Sequence, residues 1–368
     1  MRAFVTGATG LLGNNLVRAL EAAGHQVVAL ARDPSKASRV LAGCSAEIVV
    51  GDMKRVSDFA GALSGCDAVF HTAAYFREAF EPGSDEAELD EINIGGTMKL
   101  LDAADAAAVR CFVHVSSGGT IGRKSDGSPG DESTPPLPMQ RENPYFRSKL
   151  KGDAALAAWR SKNGITIVEI LPGWIWGPWD AAPTGAGKLV AEFTDGKIPA
   201  NIGGGTSVVD ARDVAAAMIA AAVRASAPRA ASAIPGASAA SSSSGASAPS
   251  GTSAGAAPAI EKYIVGGCFC SMKEIMDHLA VVTGVPAPRF EIPFVVLLAY
   301  AYGCEAWGRL TGGAPLVTPL AVRTMHARIS LDSSKAAREL GVTFRDVAET
   351  FRDSADWQRK HREIGDRH

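Results

Sequence analysis

The chain has 368 residues, 46% of them hydrophobic and 21% charged, and carries a formal net charge of -2. That length can bury a sizeable core in one large domain or two unequal lobes. A balance so close to neutral gives no electrostatic reason to expect a nucleic acid or an anionic membrane surface as partner.

In chain order, residues 3–6 read as a first strand with no basic-then-apolar leader ahead of it, so the protein is expected in the cytoplasm. A helix is predicted over 14–23, stopped by Gly24, then strands over 26–31, 48–50 and 68–71. The pattern continues with a helix over 89–107, a strand over 111–116, a helix over 145–162 and a strand over 166–171. Short Val- and Ile-rich runs separated by helices call for a parallel sheet covered on both faces, a doubly wound α/β domain of the Rossmann type.

After Pro172 the regularity breaks, and Trp174, Trp176 and Trp179 among glycines and prolines predict loop. An extended piece over 207–210 leads into an Ala-rich helix over 211–223. Residues 226–259 are almost entirely Ala, Ser, Gly and Pro, too little apolar surface to offset ordering entropy, and predict a disordered insert. A strand over 263–265 follows, then helices and loops ending in a polar helix through Trp357. The longest apolar run, 292–302, contains Pro293 and is too short to span a bilayer, so it predicts a buried or pocket-lining helix. The resulting division is a dinucleotide-binding domain of 1–172 with 207–225 and 260–268, and a smaller, mainly helical substrate lobe of 173–206 and 269–368.

Six cysteines (Cys44, Cys66, Cys111, Cys268, Cys270 and Cys304) lack a paired metal spacing; they read as reduced thiols, and no metal is expected.

Thr6-Gly7-Ala8-Thr9-Gly10-Leu11-Leu12-Gly13 directly follows the first strand. Gly7 permits a tight turn, Gly10 lets backbone approach a pyrophosphate, and Gly13 allows close packing of helix on sheet. The helix starting near Leu11 points its unpaired N–H groups and positive dipole end at the phosphates, with Thr9 and Leu12 alongside. At the end of the second strand, where an NAD site usually has an acid, stands Ala31, followed by Arg32, Asp33, Pro34, Ser35 and Lys36. Arg32 can grip a 2′-phosphate bidentately with Lys36 as a second charge, which favours NADP; the other reading has Asp33 serving an NAD ribose. Asp52, followed by Met53, can accept from the adenine amino group, and Thr72, Ala73 and Ala74 are small where backbone would pass the cofactor. His71 reads as a packed histidine.

Tyr145 and Lys149 are four apart and share one helix face. A tyrosine hydroxyl titrates near about 10. An ammonium one turn away, with the positive nicotinamide, favours the phenolate and brings it towards useful acid–base work. Ser117 can donate to the substrate oxygen as charge develops there.

Together these pieces resemble the extended short-chain dehydrogenases/reductases, in the branch holding dihydroflavonol reductase-like and 3β-hydroxysteroid dehydrogenase-like proteins. Further matches are Asn93-Ile94-Gly95-Gly96-Thr97, Val115-Ser116-Ser117-Gly118-Gly119-Thr120, Leu171-Pro172-Gly173, Gly177-Pro178, Asp213-Val214-Ala215 and Ser334-Lys335-Ala336 with Leu340-Gly341. The resemblance implies that Tyr145 is the proton donor or acceptor and that Lys149 is its partner, also bonded to the nicotinamide ribose. Ser117, five residues before Gly122, would hold the substrate oxygen, while Asn93 would hold local backbone. Val115, Ser116, Pro172 and Gly173 join the cofactor-binding set. The resemblance also implies a homodimer through the helices around 89–107 and 145–162. Ile121 stands where epimerases and dehydratases of the family commonly have a tyrosine, which leans towards the reductase branch.

The expected activity is therefore an NADP-dependent interconversion of a ketone and a secondary alcohol on a hydrophobic small molecule. The alternatives are an NAD-dependent sugar-nucleotide epimerase or dehydratase and, further off, a non-catalytic NADP-sensing regulator. Trp174, Trp176, Trp179, Tyr75 and Phe76 could line an apolar cleft. Arg212, Lys188, Lys197, Arg309 and Arg323 are the cations available to a diphosphate.

Overall fold

The computed structural model describes residues 1–75, 86–226, 260–311 and 317–365. Phe76 and all of the expected Ala/Ser insert except Ser226 lie outside the described residues. The chain begins with β1 (Arg2–Thr6), then α1 (Leu11–Ala22), β2 (Gln26–Ala31), α2 (Pro34–Val40), β3 (Glu47–Val50) and β4 (Ala68–His71). Next come α3 (Glu86–Asp90), α4 (Thr97–Ala106), β5 (Cys111–Val115), α5 (Pro138–Glu142), α6 (Pro144–Ala158) and β6 (Thr166–Pro172). Then follow β7 (Trp174–Trp176), α7 (Gly185–Thr194), β8 (Gly205–Asp210), α8 (Ala211–Ser226), β9 (Ile260–Val265) and β10 (Cys268–Ser271). The described chain closes with α9 (Met272–Thr283), α10 (Phe294–Thr311), α11 (Pro319–His326), α12 (Ser334–Leu340) and α13 (Val347–Gly365).

Among the described residues, seven strands form one parallel sheet in the order β3-β2-β1-β4-β5-β6-β9. The order reverses between β1 and β4, and such a switch point opens a crevice beyond the carboxyl ends of the strands. One face, with Val5, Phe70, Val113, Val168 and Tyr263, is covered by α1, α8 and α12. On the other face Phe4, Val69, Phe112, Ile167 and Ile260 are in register and meet α4 and α6 through Leu100, Leu101 and Leu156. Two residues further along the same strands, on that same face, runs a polar row: Thr6, His71, His114, Glu169 and Lys262. The sheet thus changes from apolar to ionisable one layer below the crevice.

A second, three-stranded sheet, β10-β8-β7, forms the cap. The loop expected at Trp174 and Trp176 is therefore corrected: residues 174–176 pair in parallel with β8. Three residues between Gly173 and Gly177 are too few to display a period in the sequence. The extended piece at 207–210 lies within β8, which among the described residues pairs with β7 and β10.

Helix boundaries also move. The helix expected over 89–107 is interrupted by a wider π-type turn at Glu91–Gly96. The one expected over 145–162 stops at Ala158, where Trp159 turns extended and Asp105 gathers Ser161, Lys162 and Asn163. The apolar run at 292–302 does form a helix, α10, but the expectation that it is buried fails. Leu297 and Ala301 pack with Val322 of α11, while Val295 is 74%, Trp307 68% and Leu310 83% exposed. Among the described residues, this largely apolar helix packs through the stripe that meets α11 and leaves much of the rest of its apolar surface open.

Candidate active site

Gly7 ends β1 with φ +68, where a side chain would strain the backbone and a Cβ would fall 2.7 Å from Ala73 N and Thr72 Oγ1. A Cβ on Gly13 would fall 2.1 Å from Gly7 O, so α1 lies as close to the turn as backbone allows. Gly10 is the N-cap of α1 and brings no side-chain cap, which leaves first-turn N–H groups to a ligand or solvent. Leu11 and Leu12 are buried behind this opening, and Thr9 flanks it. Such a cradle fits a pyrophosphate.

Across the switch point, Thr6 Oγ1 accepts from Ala73 N at 3.2 Å and Thr72 Oγ1 donates to Thr6 O at 2.7 Å, which ties the Thr72–Ala74 passage to β1. His71 is buried between the hydroxyls of Thr6 (2.7 Å) and Thr97 (2.8 Å), and burial pushes its imidazole down to about 3. It is a neutral structural histidine, as a packed residue should be. At the end of β2, Asp33 turns back as the N-cap of α2, accepting from Ser35 N at 2.8 Å and Lys36 N at 3.1 Å. Arg32 is exposed and makes no hydrogen bond or ion pair among the described residues, and Lys36 lies one turn along α2. Asp52 caps the turn that begins at Met53, accepting from Lys54 N at 2.8 Å, and Met53 is buried against Gly96.

The candidate acid–base residues come from α6 and from the turn after β5. Tyr145 and Lys149 share the buried face of α6, with Lys149 Nζ 5.8 Å from the Tyr145 ring centre. Lys149 Nζ donates to Val115 O at 2.9 Å. Ser117 caps the short turn Gly118–Thr120, its Oγ accepting from Gly119 N at 3.1 Å and keeping its own proton to donate. That turn is pressed on α6: a Cβ on Gly119 would meet the Phe146 ring at 2.0 Å. Pro172 and Gly173 close the far wall, since a Cβ on Gly118 would sit 2.8 Å from Pro172 O. Asn93 clasps the passage after Ala74, accepting from Tyr75 N at 2.7 Å and donating to Tyr75 O at 3.2 Å and to Ser148 Oγ at 3.3 Å.

Two residues absent from the sequence reading hold this geometry. Gln140 Nε2 donates to Gly119 O at 2.9 Å and Ile121 O at 2.7 Å, locking the Ser117 turn, while its Oε1 accepts from Leu137 N. Asp153 Oδ1 accepts from Ser116 Oγ at 2.8 Å, so the Ser116 hydroxyl proton is committed within the protein. The signal for Asp153 was available: it stands four residues beyond Lys149 and eight beyond Tyr145, on the same helical face.

Electrostatically the site is loaded. Burial pushes the Lys149 ammonium down to about 8, with Asp153 opposing that fall. Burial, then the Asp153 charge, pushes the Tyr145 phenol well above its ordinary range. Burial pushes Glu169 up to about 7, against its 2.6 Å ion pair with Lys262.

The expected substrate aromatics do other work. Trp176 is fully buried in the cap core, 4.7 Å edge-on to Phe351, and Trp174 packs on it at 4.9 Å. Trp179 lies under Arg18 at 3.6 Å, and the Tyr75 hydroxyl donates to Glu88 at 3.2 Å. Of the cations, Arg212 is held bidentately by Asp210 and again by Asp353, Lys197 pairs with Asp195, and Arg323 donates to the Tyr302 hydroxyl. Lys188 is exposed on α7, and the Arg309 side chain lies outside the described atoms.

Residues 3–232 match the NAD dependent epimerase/dehydratase family. A Synechocystis sp. protein named, provisionally, a dihydroflavonol 4-reductase is 31% identical over 97% of this chain and 94% of its own length. Sterol demethylase protein B of Methylococcus capsulatus is 30% identical over 98% of this chain and 99% of its own. The crystal structure of gox2253 superposes with a TM-score of 0.76 at 28% identity, over 98% of both chains.

Proposed function

The chain belongs to the NAD dependent epimerase/dehydratase family, within the extended short-chain dehydrogenases/reductases, and is an NAD(P)-dependent oxidoreductase; we propose that it interconverts a ketone and a secondary alcohol on a hydrophobic small molecule, using NADP. The observation that carries this reading is the Ser117 turn pressed on the helix bearing Tyr145 and Lys149, beside a glycine cradle. The bound nicotinamide would supply or accept the hydride and, when oxidised, bring positive charge to the site. Tyr145 Oη passes the proton to or from the substrate oxygen, and Ser117 Oγ donates to that same oxygen. Lys149, oriented by Val115 O, favours the phenolate and, with Thr72–Ala74, Val115 and Pro172–Gly173, lines the cofactor's passage. The names of the two relatives, a dihydroflavonol and a sterol activity, support a flat hydrophobic substrate for this chain also.

NADP is supported by the β2 end: Asp33, the acid two residues past Ala31, is engaged in capping, and Arg32 makes no hydrogen bond or ion pair among the described residues. The test is calorimetric titration with NADPH and NADH. NADPH should bind more tightly, and Arg32→Ala should weaken it about 10- to 100-fold, the worth of a charge-assisted bond, while sparing NADH. Equal or tighter NADH binding would overturn the NADP assignment and favour the second reading, an NAD-dependent sugar-nucleotide epimerase or dehydratase. That reading has the family's name behind it, but Arg212 and Lys197 are already paired and offer little to a diphosphate. The regulator reading loses ground to the complete Ser117, Tyr145 and Lys149 set. A homodimer through α4 and α6 is part of the proposal, and a monomeric mass by light scattering would exclude it.

A further inference from the structure

We propose that Cys268 and Cys270 form a modification site, a peroxide-reactive dithiol that closes to an intrachain disulfide. This does not depend on the reaction proposed above. The two residues alternate along β10, so their side chains share one face while Phe269 points to the other. Their sulfurs are 3.7 Å apart. Cys268 is exposed to solvent, whereas Cys270 is buried in the cap core with Trp176, Val208 and Met272.

The surroundings assign the two sulfurs different jobs. The hydrogen bond between the two sulfurs brings Cys268 down to about 7, against burial and the nearby Asp346 and Glu274 carboxylates. Cys270 is pushed far up by the same bond and by burial, so it stays a thiol. Burial also pushes Cys44 and Cys66 up and takes Cys111 up to about 12. An accessible thiolate with a second sulfur in reach is the arrangement that oxidises selectively.

The chemistry balances. The Cys268 thiolate attacks one oxygen of hydrogen peroxide, the O–O bond breaks, and a sulfenic acid forms while the other oxygen leaves as water after taking a proton. The Cys270 sulfur then attacks the Cys268 sulfur, the S–S bond forms, and the sulfenic oxygen departs as a second water with the Cys270 proton. The sulfur pair loses two electrons, and the peroxide gains them.

Closure must reshape the strand. Residues two apart in an extended strand have Cα atoms about 6.6 Å apart, near the upper end of the span that a disulfide tolerates. The bond would draw 268 and 270 together and re-aim Phe269, which lies under Arg328 at 5.1 Å and lines a surface cavity with Arg123 and Ser128. Such a strained bond should also be readily reduced.

The experiment uses the reduced full chain, treated with hydrogen peroxide, unfolded, alkylated with iodoacetamide and digested with trypsin. Cleavage after Lys262 and Lys273 releases residues 263–273, which contain both thiols and no other cysteine. The expected product is that peptide unalkylated and lighter by two hydrogen atoms, restored to double alkylation by dithiothreitol. The peptides of Cys44, Cys66, Cys111 and Cys304 should stay alkylated. Cys270→Ser should stop at a sulfenic acid on Cys268 that dimedone traps, at least ~10-fold faster than Cys304 is lost. Full alkylation of 263–273 at peroxide doses that consume other thiols would overturn the proposal, and the wild-type result decides this even if Cys270→Ser misfolds.

Discussion

In the nucleotide half, three backbone segments bordering the crevice are fastened to the residues around them. Thr72–Ala74 is tied to Thr6, the Ser117 turn to Gln140 and Phe146, and the passage after Ala74 to Asn93. In the cap, a small interior around Trp176 and Phe351 coexists with α10, whose outer face leaves Val295, Trp307 and Leu310 in solvent. The difference teaches where precision is concentrated. Reacting groups tolerate little displacement, and the residues proposed for the chemistry stand on or beside the seven-stranded sheet, whereas the cap leaves apolar side chains in solvent.

That contrast can be broken most severely at the cradle. Gly13→Val should abolish NADPH binding in calorimetry and lower the folded yield, because its Cβ has only 2.1 Å to Gly7 O. Wild-type affinity in this variant would mean that the turn is not the phosphate site. Tyr145→Phe should slow turnover about 10²- to 10⁴-fold with cofactor affinity unchanged, and full activity would remove the proton relay. Trp176→Ala should cost about 3–5 kcal/mol of stability in denaturant melts. Its NADPH affinity should nonetheless stay near wild type, and a parallel loss would show the two halves to be one cooperative unit.

A subtler probe uses pH. In the reductive direction the ammonium of Lys149 is needed, and it is lost as pH rises through about 8, so ketone reduction should decline above that point. Asp153 raises the Lys149 pKa, so Asp153→Asn should move the decline to lower pH; an unmoved or alkaline-shifted limb would exclude the coupling. Smallest of all, Trp307→Ser on the outer face should change stability by no more than about 0.5 kcal/mol, and a larger loss would mean that α10 is covered in solution.

The sequence revealed the nucleotide half because that half is periodic. Residues 26–31 and 68–71 are strands with the expected bounds, and the glycines at 7, 10 and 13 stand where a strand meets a helix. The cap was hard to read for physical reasons. β7 is three residues long, and β8 joins it across a break of chain in which α7 intervenes, so pairing there is tertiary. Apolar residues in 292–302 signalled a helix but not its depth, since hydropathy cannot report how many neighbours an element will meet. Gln140 acts through backbone carbonyls at 119 and 121, a partnership no spacing rule announces. Asp153, by contrast, was legible from its place on the Tyr145 face.

The polar row from Thr6 through His71, His114 and Glu169 to Lys262 does more than sit under the crevice. Parallel strands rich in Val and Ile can slide past one another with small loss of apolar contact, and a one-residue slip exchanges the two faces. Here such a slip would carry Glu169 into the opposite apolar layer, away from Lys262, and strand a charge without water. A two-residue slip would set Ile167 against His114 and separate Glu169 from Lys262. The row therefore acts as a register pin on the sheet: the Thr6–His71 hydrogen bond and the Glu169–Lys262 ion pair hold in the alignment that brings Thr6, the 72–74 passage and Val115 to the same level.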